Sequence, residues 1–146
     1  MALPITNKKA TFNYEILDTF EAGLVLLGHE VKSLKTHTAT LEGSYVIIRG
    51  GEVFLTGAHI PPYQPGNVSS ATDPYRNRKL LLNKKEIAEL EEAEHQPGIA
   101  IIPLKIFTKN NNIKIKIATA RGKKQHDKRQ NIKKRDIERE IGRKLK

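Results

Sequence analysis

The chain contains no cysteine and no tryptophan, one methionine, and only 5% aromatic residues among its 146. Without cysteine there is no disulfide, no thiolate nucleophile and no thiolate metal site, which suits a reducing compartment. No apolar run approaches the ~20 residues of a membrane-spanning helix. The opening MALPITNKKATF also lacks the apolar stretch of a secretory signal. The expectation is a soluble cytoplasmic protein. Catalytic signatures are missing too: no serine sits in a nucleophile elbow, and there is no phosphate-binding glycine loop. His29, His37, His59, His95 and His126 are scattered without metal-ligand spacing. Glu86, Glu89, Glu91, Glu92 and Glu94 fall on one predicted helix and read as a solvated acidic face. The sequence therefore predicts no enzyme, no metal, no cofactor and no small-molecule substrate.

Positive charge is abundant and unevenly placed. Of a net +10, residues 121–146 carry +8, from twelve Lys/Arg against four acids. The first 120 residues are nearly neutral at +2. A concentrated cationic tail calls for a polyanion, and nucleic acid is the usual one, because each neutralised phosphate releases counterions.

Periodicity predicts a β-rich body over residues 1–120, with residues 1–10 as a flexible basic arm. Residues 11–27 alternate as an extended segment, in which Gly23 marks a bulge or bend. Gly28 to Leu41 reads as a helix with Val31, Leu34 and Thr38 on one face. Tyr45–Arg49 and Glu52–Thr56 flank Gly50-Gly51 as a hairpin. Residues 57–78 hold four of the seven prolines and read as one long loop. Leu80 to Glu94 reads as a helix with Asn83 as N-cap and Glu86 completing a capping box. Ile99–Lys109 and Ile113–Ala120 form a second hairpin across three asparagines, with Pro103 at an edge or bulge. In its return strand Ile113, Ile115 and Ile117 alternate with Lys114 and Lys116, so one face is buried and the other presents cations. The tail, residues 121–146, has a thin stripe of Ile132, Ile137, Ile141 and Leu145, too weak to hold a helix alone. It is expected to be disordered when free and helical when bound.

Short antiparallel strands with few helices predict an all-β-dominated, OB-like closed antiparallel barrel with two or three short flanking helices and a basic C-terminal tail. Candidate nucleic-acid contacts are Lys8 in the arm, Arg76 at the end of the long loop beside Tyr75, and the strand lysines Lys114 and Lys116. Two rivals remain at this point. One is a structural ribosomal protein whose basic tail threads ribosomal RNA. The other is a membrane-surface protein, disfavoured because the tail holds only four large apolar residues and no Trp or Phe.

Three stretches are more specific: Phe20-Glu21-Ala22-Gly23-Leu24 running on to Gly28-His29-Glu30-Val31-Lys32-Ser33-Leu34; Asp73-Pro74-Tyr75-Arg76-Asn77-Arg78-Lys79-Leu80-Leu81-Leu82-Asn83; and Gly122-Lys123-Lys124-Gln125-His126-Asp127-Lys128-Arg129. In this order they resemble the small protein B family, the tmRNA-binding (SsrA-binding) proteins of bacterial trans-translation. The resemblance spans residues 7–135. It implies a monomer that binds the tRNA-like domain of tmRNA and delivers it to stalled ribosomes. Its tail would then lie in the decoding centre and the empty mRNA channel, against small-subunit ribosomal RNA. Carried over by position, the family's RNA-facing residues fall on Glu21, Leu81 and Lys114. Leu81 is equally open to a core role. The tail motif falls on Lys123, Lys124, His126, Asp127, Lys128 and Arg129, followed by the basic Lys133, Lys134 and Arg135, with His126 expected to stack on a ribosomal base. Tyr75 stands where the family favours a smaller residue, which leaves open whether it packs or stacks.

Overall fold

In the computed structural model, residues 3–36, 39–61 and 73–123 are described. Among the described residues, seven strands form one antiparallel sheet: β1 (Ile5–Thr6), β2 (Tyr14–Leu24), β3 (Tyr45–Arg49), β4 (Glu52–Thr56), β5 (Arg78–Leu81), β6 (Ile99–Lys109) and β7 (Asn112–Gly122). Their order across the sheet is β1-β6-β7-β2-β5-β4-β3. Among the described residues, three helices accompany them: α1 (Ala10–Asn13), α2 (Gly28–Thr36) and α3 (Lys84–Glu94). The protein is thus mostly β with few helices. Among the described residues no helix is long and apolar enough to cross a membrane.

Both predicted hairpins form, and their turns explain them. Gly50 and Gly51 adopt φ of 60° and 76°, and Asn110 and Asn111 adopt 51° and 64°. Two consecutive positive φ values match the twist of a two-residue hairpin, and Gly and Asn tolerate them best. The second turn is therefore two residues long, with Asn112 already paired to Lys109 in the ladder. Pro103 sits at a register shift between β6 and β7, where a residue without an N–H does least harm. The capping box at α3 is complete: the Asn83 side chain accepts from the Glu86 N–H at 2.8 Å, and the Glu86 carboxylate accepts from the Asn83 N–H at 3.3 Å. Asn83→Ala is expected to lower stability by about 1 kcal/mol, read as a shift of the urea midpoint with unchanged m-value.

Several expectations need correcting. The ladders do not close the sheet. Among the described residues no ladder joins β3 to β6, although the two lie side by side at a seam. The Ile48 N–H on edge strand β3 is taken by the Glu94 carboxylate of α3 at 3.0 Å, so a side chain replaces a neighbouring strand there. Glu94 accordingly is not part of a solvated acidic face, whereas Glu89, Glu91 and Glu92 are exposed. Where a free arm is expected, Ile5 is buried and Ile5–Thr6 pair with Ile106 and Lys105. The bulge of β2 lies between Ile16 and Asp18 rather than at Gly23. Residues 78–81 are a strand instead of loop and helix start, because Arg78 takes an inward core position that no hydrophobic pattern reveals. Finally, β7 runs through Gly122, whose partner is Tyr14, so Arg121 and Gly122 belong to the body rather than to the tail.

The main core lies on the inner face of the sheet. It joins Leu24, Val46, Val53, Leu55, Leu80, Ile106, Ile115 and Ile117 to Leu34 of α2 and Leu90 of α3. A smaller cluster, Ala10 with Ile102 and Ala120, shows that α1 covers one end of the outer face. Toward the other end of that face Lys105, Phe107, Lys114 and Lys116 are half-buried and Lys109 is exposed.

Candidate RNA-binding face

Residues directly opposite in an antiparallel ladder point to the same side of the sheet. Glu21 on β2 stands opposite Lys116 on β7, and Gly23 stands opposite both Lys114 on β7 and Leu81 on β5. Continuing outward, Lys116 is opposite Lys105 on β6, and Lys114 is opposite Phe107. The register therefore gathers Leu81, Glu21, Lys114 and Lys116 on one outward face and extends it to Lys105, Phe107 and Lys109. Leu81 is 56% exposed, which separates it from the core. Its neighbour Leu80 fills the inward position.

Four lysines and one carboxylate share this surface. Glu21 Oε1 lies 3.2 Å from Lys109 Nζ and 4.0 Å from Lys114 Nζ. These exposed pairs contribute little stability. The carboxylate lies close to two ammonium groups and, with two oxygens, keeps further acceptor capacity. Lys105 Nζ sits over the Phe107 ring, 5.2 Å from its centroid, leaving a half-buried aromatic among cations. Phe107, Lys105 and Lys109 were not legible as site residues. The alternation Lys105-Phe107-Lys109 is present in the sequence, but only the register places it beside Glu21.

Gly23 shapes the same face. A Cβ built there would sit 3.3 Å from the Leu81 Cβ. The absent side chain lets Leu81 lean across β2, beside a cleft described below.

The structure uses other predicted residues differently. Arg76 does not project from the loop as a free cation. Its Nε donates to Glu30 Oε2 at 3.1 Å, and its terminal amine pairs with Glu30 Oε1. Arg78, fully buried, donates to Glu30 Oε2 from Nε at 2.9 Å and from a terminal nitrogen at 2.6 Å. The remaining Arg78 donors reach the Ala58 carbonyl at 2.6 Å and the Pro74 carbonyl at 2.8 Å. Glu30 also accepts from the Leu27 N–H at 2.9 Å, satisfying the start of α2. Burial pushes the Glu30 carboxyl up, but the hydrogen bonds from Arg76, Leu27 and Arg78, with the charge of Arg78, outweigh it and hold the group below its ordinary value. Burial lowers the Arg78 pKa, opposed by Glu30. This triad was missed from sequence. It joins two of the three specific stretches, Gly28–Leu34 and Asp73–Asn83, which shows that part of those motifs serves structure.

Tyr75 packs: its ring lies 4.8 Å from the His59 ring, tilted by 57°. It is nevertheless 56% exposed. Lys8 is exposed in the turn between β1 and α1, off the strand face. Lys123 is anchored, donating from its backbone N–H to the Asn13 carbonyl at 2.9 Å and from Nζ to the Thr11 carbonyl at 2.8 Å. The remaining predicted tail residues, Lys124, His126, Asp127, Lys128, Arg129, Lys133, Lys134 and Arg135, lie outside the described residues. Among the described residues no group of three or more His, Asp or Glu could hold a metal ion.

Comparison with known proteins adds to this geometry. A family model described as SmpB protein matches residues 4–146. An SsrA-binding protein of Chelativorans sp. is 50% identical over 141 residues, covering 96% of this chain and 90% of that protein. The SsrA-binding protein of Mesoplasma florum is 49% identical over 140 residues, covering 96% and 94%. That of Enterococcus hirae is 46% identical over 140 residues, covering 96% and 90%. A chain of a solved structure described as "tmRNA-SmpB: a journey to the center of the bacterial ribosome" aligns with a TM-score of 0.70 and 40% identity, over 84% of this chain and 85% of that one.

Proposed function

The chain belongs to the SmpB family, and from that membership we propose that it is a tmRNA-binding factor of bacterial trans-translation. It binds the tRNA-like domain of tmRNA and acts with it on stalled ribosomes in the cytoplasm. The observation that carries this reading at the level of residues is the shared face of Glu21, Leu81 and Lys114, three positions far apart in sequence that the β2, β5 and β7 register brings together. Four lysines give that face its attraction for phosphate, while Leu81 and Phe107 offer apolar surface to unpaired bases. The curl of the sheet, with β3 beside β6 at the seam, supports an OB-like barrel as the architecture. The protein performs no reaction of its own; it binds and positions, as a monomer, with no cofactor.

The tail is the second working part. Lys123, held by α1, marks where it leaves the body. His126, Asp127, Lys128 and Arg129 enter the decoding centre, and Lys133, Lys134 and Arg135 follow the empty mRNA channel, so that tmRNA takes over translation and the nascent peptide is tagged.

Replacing Glu21 tests the body. Glu21→Ala is expected to weaken binding to the tRNA-like domain by about 10-fold or more, the order of a lost charge-assisted hydrogen bond, with an unchanged melting curve. Filter binding of labelled RNA reads the first and circular dichroism the second. An affinity equal to wild type would remove Glu21 from the interface.

A further inference from the structure

Beside the lysine face lies an open cleft of about 450 Å³ between α2, the end of β2, β5 and the β6–β7 turn. We propose that this cleft receives a single unstacked nucleobase of the bound RNA, an inference that rests on the RNA-binding reading above. Its wall is apolar: Leu26 precedes α2, Val31 stands on its first turn, and Leu81 leans in across Gly23. Its rim is cationic, with Lys35 one helical turn beyond Val31 and Lys114 facing it from β7. Asn111 and Asn112 of the β6–β7 turn line the remaining side.

Each part matches one part of a nucleotide. An unpaired base presents two flat apolar faces and a polar edge, and proteins that single one out hold it among apolar side chains while hydrogen-bonding its edge. Aliphatic Val31, Leu26 and Leu81 supply the first, and two amides, each able to donate and accept, supply the second. Two lysines on the rim match the phosphates on either side of an extruded base, and the volume falls in the range of ligand clefts, about 300–1,000 Å³. A duplex would present phosphates and grooves to such a surface without filling it. The cleft is continuous with the proposed interface, since Leu81 and Lys114 belong to both. The exposure of Leu81, unusual for a leucine next to a core strand, then has a reason: it forms the shared wall.

The test uses the full chain and a tRNA-like-domain RNA carrying single abasic sites through its loops, each titrated by fluorescence anisotropy. With wild-type protein, one abasic position is expected to weaken binding by about 5- to 150-fold, the loss of one buried base, while neighbouring positions change little. Val31→Trp, which fills the cleft, is expected to weaken the parent RNA by a similar factor and to be indifferent to that abasic site. Because a tryptophan there could disturb α2, Lys35→Glu on the exposed rim gives a second reading: weaker binding and a shallower salt dependence with an unchanged melt. If the parent RNA binds tightly and every abasic RNA binds equally well, the base site is wrong while the RNA-binding reading stands. If Lys35→Glu leaves affinity and salt dependence unaltered, the cleft does not face RNA. Failure of wild type to bind the parent RNA would overturn both.

Discussion

A chain ending at Lys123 will hold the tRNA-like domain of tmRNA with near full-length specificity and will fail to support peptide tagging on stalled ribosomes. The cut belongs after Lys123 rather than after Ala120, because Arg121 and Gly122 pair with Glu15 and Tyr14 and Lys123 is bound to α1. Removing 124–146 takes away ten basic and four acidic residues, a net +6. Non-specific RNA affinity and its salt dependence will therefore drop steeply, by several decades at low salt if most of those charges meet phosphates. The specific face of β2, β5 and β7 is untouched. Tagging in a reconstituted translation system on a message without a stop codon reads the tail; competition binding against bulk RNA at about 150 mM salt reads the body. RNA captured from a bacterial lysate with both chains and then sequenced distinguishes the outcomes: tmRNA dominant in both places specificity in the body. A truncated chain that loses tmRNA preference would mean that the tail carries recognition, and the division of labour proposed here would fall.

Glu30→Met will cost about 3–5 kcal/mol of folding stability, because it strands a fully buried guanidinium, Arg78, next to a second one, Arg76. Arg78→Met will cost less, since Arg76 still pairs with Glu30, although the Ala58 and Pro74 carbonyls lose their donor. The double variant will lose less than the sum of the two, a coupling of about 0.5–3 kcal/mol measurable from urea midpoints. Additive losses would mean that the triad does not act as a unit. The pH dependence has a definite sign. Glu30 is held below its ordinary pKa in the fold, so its stabilisation is fully present above the unfolded carboxylate value, about 4.3. It is lost as pH falls from there through the lower folded value. Glu30→Gln will flatten stability in that acid window and leave its slope near neutrality unchanged. The triad ties α2, which carries Val31 and Lys35, to β5, which carries Leu81, and so holds together the two walls of the proposed cleft.

Local chemistry determined much of this protein directly. Gly50-Gly51 and the asparagine run dictated two hairpins, Asn83 and Glu86 dictated the start of α3, and Ile113–Ile117 alternating with lysines dictated a strand with one wet face. Each depends on backbone geometry or periodicity within a few residues, which a sequence carries in full. Composition likewise fixed the nearly neutral body and the cationic tail. Where long-range pairing decides, the sequence was silent. Arg78 looked like a loop cation and is instead a core residue, because the carboxylate that makes its burial tolerable lies 48 residues away. Arg76 reads as a loop cation and pairs with the same Glu30, 46 residues away. Leu81 could have faced either way, and the pairing of Gly23 with Leu81 settled it. Phe107 and Lys105 joined the site only through the register of β6 with β7. Among the described residues no ladder joins β3 to β6, and the Ile48 N–H on β3 is taken by Glu94 of α3, a partner 46 residues away that no local pattern announces. In a sheet, face and partner follow from register, and register is set by the sum of many distant contacts rather than by any local run of residues.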